Sequence, residues 1–148
     1  MDRWSWTISI PGLASMVPAV RAFVRAFLQS HPLAGDAELV ASEYVTNAIR
    51  HTASGDGGVI DVTVAATPRA VRIEVTDFGP APPARQPGAS TRVAPPASGT
   101  ATPEDENGRG LTIVDFLATR WGHYGLAGGQ VTAWAELGDP GDAEADPR

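Results

Sequence analysis

From Trp4 to Ile10 the apolar positions fall on every second residue, with Trp4, Trp6, Ile8 and Ile10 on one side of an extended chain. That is the period of a half-buried strand, and Pro11-Gly12 ends it. The period then changes. Val20, Phe23, Val24, Phe27 and Leu28 recur at helical spacing, with Arg21 and Arg25 left on the outer side. Ser15 is placed to cap this helix, Pro18 is tolerated in its first turn, and His31-Pro32 stops it. A second helix is predicted from about Asp36 to Thr52, before the turn-rich run Ser54 to Gly58. Ala37, Val40, Ala41, Tyr44, Val45, Ala48 and Ile49 cover half of its circumference, and Glu43, Asn47 and Arg50 share the other side.

Two strands follow, carried by Ile60, Val62 and Val64 and by Val71, Ile73 and Val75, with Pro68-Arg69 as the turn between them. Pro80 to Glu104 holds seven of the thirteen prolines and shows no period, so it cannot pack as an element of its own. A loop of this length inside one domain reads as a lid or linker. A short helix from Gly108, with Leu111, Val114 and Leu117 inward, leads to a strand near Arg120 to Tyr124, and a last strand runs from Gln130 to Leu137. The acidic stretch from Gly138 to Arg148 has no pattern and is expected to be disordered. The order strand, helix, helix, strand, strand, lid, helix, strand, strand is not a βαβ alternation. It predicts an α+β two-layer sandwich, a mixed and largely antiparallel sheet with helices on one face.

Composition narrows the function classes. At 148 residues the chain suits one domain with a real core, and 43% hydrophobic with 19% charged residues is globular usage. No cysteine is present, which removes disulfides, thiolate metal sites and a cysteine nucleophile. No signal peptide or run of roughly 18 to 20 apolar residues is visible, so a cytoplasmic location without membrane contact is expected. A net charge of -6 argues against direct binding to nucleic-acid phosphates. All eleven basic residues are arginine. Walker-A loops and protein-kinase folds both need a lysine on the phosphates, so any ATP chemistry here requires another fold.

Three short patterns carry candidate chemistry. Glu43 and Asn47 stand one turn apart on one helix face. A carboxylate there can take a proton, and an amide oxygen can ligate Mg²⁺, although such pairs are also common on solvated helix faces. Asp77-Phe78-Gly79 ends an apolar strand: an Asp so placed can accept a hydrogen bond from an exocyclic amine, and a Gly lets a ring approach, but the pair is also ordinary turn chemistry. Asn107-Gly108-Arg109-Gly110 opens a helix whose free N–H groups and positive dipole end suit phosphate, or make a hinge.

As an ordered set these patterns resemble the N, G1 and G2 boxes of the GHKL (Bergerat-fold, histidine-kinase-like) ATPases, over about Ser15 to Leu137. Ser42 to His51 and Gly108 to Asp115 look most like the bacterial anti-sigma-factor serine/threonine kinases. The resemblance implies one ATP-binding domain over residues 1–137, with residues 80–107 as the ATP lid, and ATP and Mg²⁺ as cofactors. It implies Glu43 as general base, Asn47 as Mg²⁺ ligand, Asp77 as the adenine-reading carboxylate, Gly79 against the adenine ring, and Gly108, Arg109 and Gly110 at the phosphates. His51 receives no catalytic role. The implied partners are a sigma factor and an anti-anti-sigma (STAS-type) antagonist, and a homodimer is left open. Two positions depart from the family pattern: Ala81 stands where a second glycine is expected, and Glu106 where a basic residue precedes Asn107. The alternative function is a non-catalytic module, with or without bound ATP, that regulates transcription by sequestering a partner. A detached histidine-kinase ATP domain ranks lower, since no phospho-accepting helix precedes the domain and His31 stands before a proline.

Overall fold

The structure, a computed structural model, describes residues 3–51, 58–77 and 108–139. Its elements are β1 (Trp4–Pro11), a 3₁₀ turn (Ala14–Met16), α1 (Val17–Phe27), α2 (Ala34–His51), β2 (Val59–Thr67), β3 (Ala70–Asp77), α3 (Gly108–Leu117), β4 (Arg120–Gly125) and β5 (Val131–Gly138). The five strands form one sheet in the order β1-β2-β3-β5-β4. All four pairings are antiparallel, so the sheet expected to be mixed is antiparallel at every described pair. The three helices pack on one face of it, which is the predicted two-layer α+β arrangement.

Register explains the core. Val62 stands opposite Val75, Val64 opposite Ile73 and Ala66 opposite Val71, and Leu137, Ala135 and Ala133 continue the rows into β5. Because side chains alternate across a strand, this face carries every large aliphatic group of the central strands except the exposed Val59, and Val20, Val24, Leu28, Val40 and Val45 close over it. Each such side chain contributes about 1.5 to 3 kcal/mol when it leaves water. The opposite face is polar and internally paired. Arg72 bonds Glu74 at 2.8 Å and Glu136 at 2.6 Å and lies 4.6 Å from the Trp134 ring centre, while Arg120 reaches Glu136 at 2.6 Å.

Several boundaries differ from the sequence expectation. Ser15 caps nothing: it lies inside the 3₁₀ turn, and Met16 precedes α1 without a side-chain cap bond. The turn takes up the first orphan N–H groups, and Pro18 supplies none. The first helix ends at Phe27, before His31-Pro32, where Leu28 leaves helical geometry and Ser30 turns left-handed at φ 67°. His31 instead joins two layers. Its Nδ1 accepts the Leu33 N–H at 3.1 Å, which leaves Nε2 to donate to the Thr67 carbonyl at 2.8 Å. The last strand includes Gly138, where the sequence pattern places the start of the tail, and the Asp139 N–H bonds the Arg69 carbonyl at 3.2 Å. Residues 140–148 and 80–107 lie outside the described residues.

Two stability predictions follow from this packing. Gly138 has φ 80°, and a Cβ there would fall inside contact distance of the Arg69 carbonyl and 2.6 Å from Leu33 Cδ1. Gly138→Ala should destabilise the fold by about 2 to 4 kcal/mol through backbone strain and overpacking, read as a lower urea midpoint with an unchanged m-value. Tyr44, only 3% exposed, donates its hydroxyl to the Trp134 carbonyl at 2.8 Å. Burial pushes its phenol well above the ordinary tyrosine value of about 10, with Arg72 pulling weakly the other way. A raised folded-state value means that stability is intact below about pH 10 and is lost as pH rises further, because only the unfolded chain ionises easily. Tyr44→Phe should cost about 1 kcal/mol at neutral pH and flatten the alkaline limb of a melting-temperature profile.

Candidate functional site

The sequence-predicted site residues distribute over three elements. On α2 the buried stripe runs through Ala37, Val40, Ala41, Tyr44, Val45 and Ala48. One flank of that stripe meets α1, where Glu38 takes Arg25 at 2.7 Å and Arg21 at 3.6 Å. Helical geometry places Glu43 and Asn47 on the other flank, one turn apart and both half-buried. Neither side chain hydrogen-bonds or ion-pairs with another described residue. Ser42 and Thr46 close their hydroxyls onto α2's own carbonyls, Leu39 at 2.8 Å and Ser42 at 2.7 Å, so these polar neighbours do not compete for a ligand.

Asp77 is the last residue of β3 and stands in register with Val131. Alternation puts it on the helix-facing side, in line with Val71, Ile73 and Val75, and it is 8% exposed. A carboxylate at the end of an apolar row, on the face that carries the helices, is costly unless polar partners meet it. The α2 helix is 18 residues long, about 27 Å, and β3 is eight residues, about 26 Å, so the helix spans the sheet from end to end. Its start lies by the β2–β3 turn, where His31 holds Thr67. Its last turns, carrying Asn47, consequently lie toward the Asp77 end of the sheet.

Gly108, Arg109 and Gly110 form the first turn of α3. That helix packs on α2 through Val114, which is fully buried, and it is fixed at its far end by the Trp121 indole N–H donating to Asp115 Oδ1 at 2.9 Å. This anchor was not assigned from sequence. Asp115 stood in the quoted Gly108 to Asp115 motif, and the signal available was an acidic residue six positions before a tryptophan at a strand start. The side chain of Arg109, the side chain of His51, and Gly79 with the Phe78 to Asn107 stretch lie outside the described residues. What the described residues bring onto the helix side of the sheet is therefore the Glu43–Asn47 flank, the Asp77 carboxylate and the backbone of α3's first turn.

No helix among the described residues is long and apolar enough to cross a membrane. No curated protein matches the chain significantly. A family model described as the histidine kinase-like ATPase domain matches residues 10–134, which include all five strands in whole or part, all three helices and each predicted site residue. With that match spanning most of the 148 residues, the chain belongs to the histidine kinase-like ATPase domain family.

Proposed function

We propose that this domain binds Mg-ATP at the Glu43–Asn47 flank and Asp77, and transfers the γ-phosphoryl group to a serine or threonine of an antagonist protein, acting otherwise as an anti-sigma factor. The observation that carries the reading is the pair of half-buried polar side chains, without described protein partners, on the one flank of α2 that α1 does not occupy. Asp77 would accept the exocyclic amine of adenine from its nearly buried position, and the first turn of α3 would turn its free N–H groups toward the phosphates. Among the described residues no cluster of three or more acidic or histidine side chains gathers to cage a metal. A single amide oxygen suits Mg²⁺, which takes its other ligands from phosphates and water. Bound Mg²⁺ supplies charge neutralisation on the phosphates.

In this scheme the chain positions and neutralises, and one residue moves a proton. Glu43 accepts the proton of the substrate hydroxyl as its oxygen bonds the γ-phosphorus and the bond to ADP breaks. Sigma-factor binding and release by the antagonist belong to the same proposal, supported by the likeness of Ser42 to His51 and Gly108 to Asp115 to anti-sigma kinases.

Calorimetric titration tests the nucleotide site. Asp77→Asn should weaken ATP binding about 10- to 100-fold, the ~1.5 to 3 kcal/mol of a hydrogen bond to a charged group, and Asn47→Ala should abolish the Mg²⁺ dependence of binding. Absence of binding to the wild-type domain at millimolar ATP would leave the fold as a protein-interaction scaffold. Glu43→Ala should retain nucleotide affinity while lowering phosphotransfer to a STAS-type antagonist by about 10²- to 10⁴-fold. Transfer at the wild-type rate in that variant would remove Glu43 from the base role.

A further inference from the structure

The buried stripe of α2 is smooth. Ala37, Ala41 and Ala48 make up half of it, and Val40 and Val45 add only short branched side chains. Small side chains let the helix come close to the sheet, but they leave shallow ridges, and apolar contact has no direction along the axis. Tyr44 is the one large side chain of that stripe. Its hydroxyl donates to the Trp134 carbonyl at 2.8 Å, across 90 residues of sequence. Ser42 and Thr46 bond α2's own carbonyls and Glu38 bonds α1, so none of these three ties α2 to the sheet.

The acceptor is itself held. Trp134 stands in register between Glu74 of β3 and Gly122 of β4. Its ring lies 4.6 Å from the Arg72 guanidinium, which bonds Glu74 at 2.8 Å and Glu136 at 2.6 Å. Two neighbouring strands and an ion-paired cation thus fix the residue on which Tyr44 ends. The donor also has the right place on the helix. Glu43 precedes it directly, and Asn47 follows three residues later, about 60° round the axis. A bond at Tyr44 therefore sets the height of both side chains along the axis, with less than one turn between each of them and the anchor.

We propose that Tyr44 is a positioning residue of the nucleotide site: its bond to the Trp134 carbonyl pins α2 along its axis, and so sets where the Asn47 amide meets Mg²⁺ and where Glu43 meets the hydroxyl it deprotonates. The inference rests on the Mg-ATP reading above and adds a determinant that acts through its neighbours, since Tyr44 itself is only 3% exposed. Mg²⁺ demands near-ideal octahedral geometry at about 2.0 to 2.1 Å, so a ligand on a helix that slides loses the metal before a diffuse charge contact is lost. A displacement of about 1 Å can cost on the order of 10²-fold in a reaction that depends on alignment. Asp77 belongs to β3, so the adenine contact does not feel a slip of α2. The signature is selective: metal dependence and phosphotransfer change, and metal-free nucleotide affinity stays.

Tyr44→Phe tests this on the full chain, because it keeps the ring in the stripe and removes only the donor. Calorimetric titration with ATP should show unchanged affinity without metal and a Mg²⁺ midpoint raised at least ~10-fold. Phosphotransfer should fall about 10- to 100-fold in kcat with little change in the KM for ATP. In the ligand-free protein, NMR relaxation dispersion at the Glu43 and Asn47 amides should appear in Tyr44→Phe and be absent from the wild type. Val24→Ala, a cavity in the core beneath α1, controls for lost stability: it should lower the melting temperature at least as far and leave those readouts at wild-type values. An unchanged Mg²⁺ midpoint in Tyr44→Phe overturns the proposal, as do flat dispersion profiles in that variant or an equal Mg²⁺ shift in Val24→Ala. Failure of the wild type to bind millimolar ATP is a distinct result, which ends the nucleotide reading and this inference with it before any variant is compared.

Discussion

The arrangement of the molecule depends on how α2 is held against the sheet. Its stripe from Ala37 to Ala48 lies over the aliphatic rows of β2, β3 and β5, which fixes its rotation about its own axis. Hydrophobic burial is non-directional and by itself leaves a helix free to slide. The Tyr44 hydroxyl on the Trp134 carbonyl supplies the direction, since a phenol this deeply buried must keep its acceptor. Rotation and position together decide where Glu43 and Asn47 stand. A slip of one residue along α2 would turn them by 100° and carry them off the flank that faces away from α1.

The two faces of the sheet divide the work of the domain. The helix side carries the core and, at its end, Asp77, so the candidate chemistry lies where the apolar layer gives out. The outer face spends its polar side chains on one another, with Arg72 at the centre of Glu74, Glu136 and the Trp134 ring. Thr7 bonds Thr63 and Thr76 bonds Thr132, each at 2.8 Å. Such cross-strand pairs add tenths of a kcal/mol to about 1 kcal/mol each and leave few outer groups seeking partners. The β1 edge is different, because among the described residues its two tryptophans stay exposed, Trp6 at 62% and Trp4 at 39%.

Much of the fold was legible in the sequence because it rests on period. Alternation in β2, β3 and β5 and the helical spacing from Val20 to Leu28 need only local geometry and a single core, and the elements appeared where those patterns lie. Helix ends were less legible. Ser15 has the right chemistry for a cap, yet a 3₁₀ turn absorbed the helix start, and Ser30 in the left-handed region ended α1 before His31. The N-box spacing of Glu43 and Asn47 was readable as one helix face. That this flank faces away from α1 could not be read, since it depends on α1 packing along the opposite flank at Glu38.

The sequence by itself determined the element order, the apolar face of each element and the ordered motifs that place the chain in its family, because these are properties of neighbours along the chain. Only the tertiary structure decided strand order, the placing of Asp77 on the helix side, the partners of Tyr44, His31 and Asp115, and the exposure of Trp4 and Trp6. The physical reason is that each of these joins residues far apart in sequence. Trp4 and Trp6 show the same alternation as Ile8 and Ile10, and no local pattern tells a strand that it will lie at an edge beyond the reach of the helices.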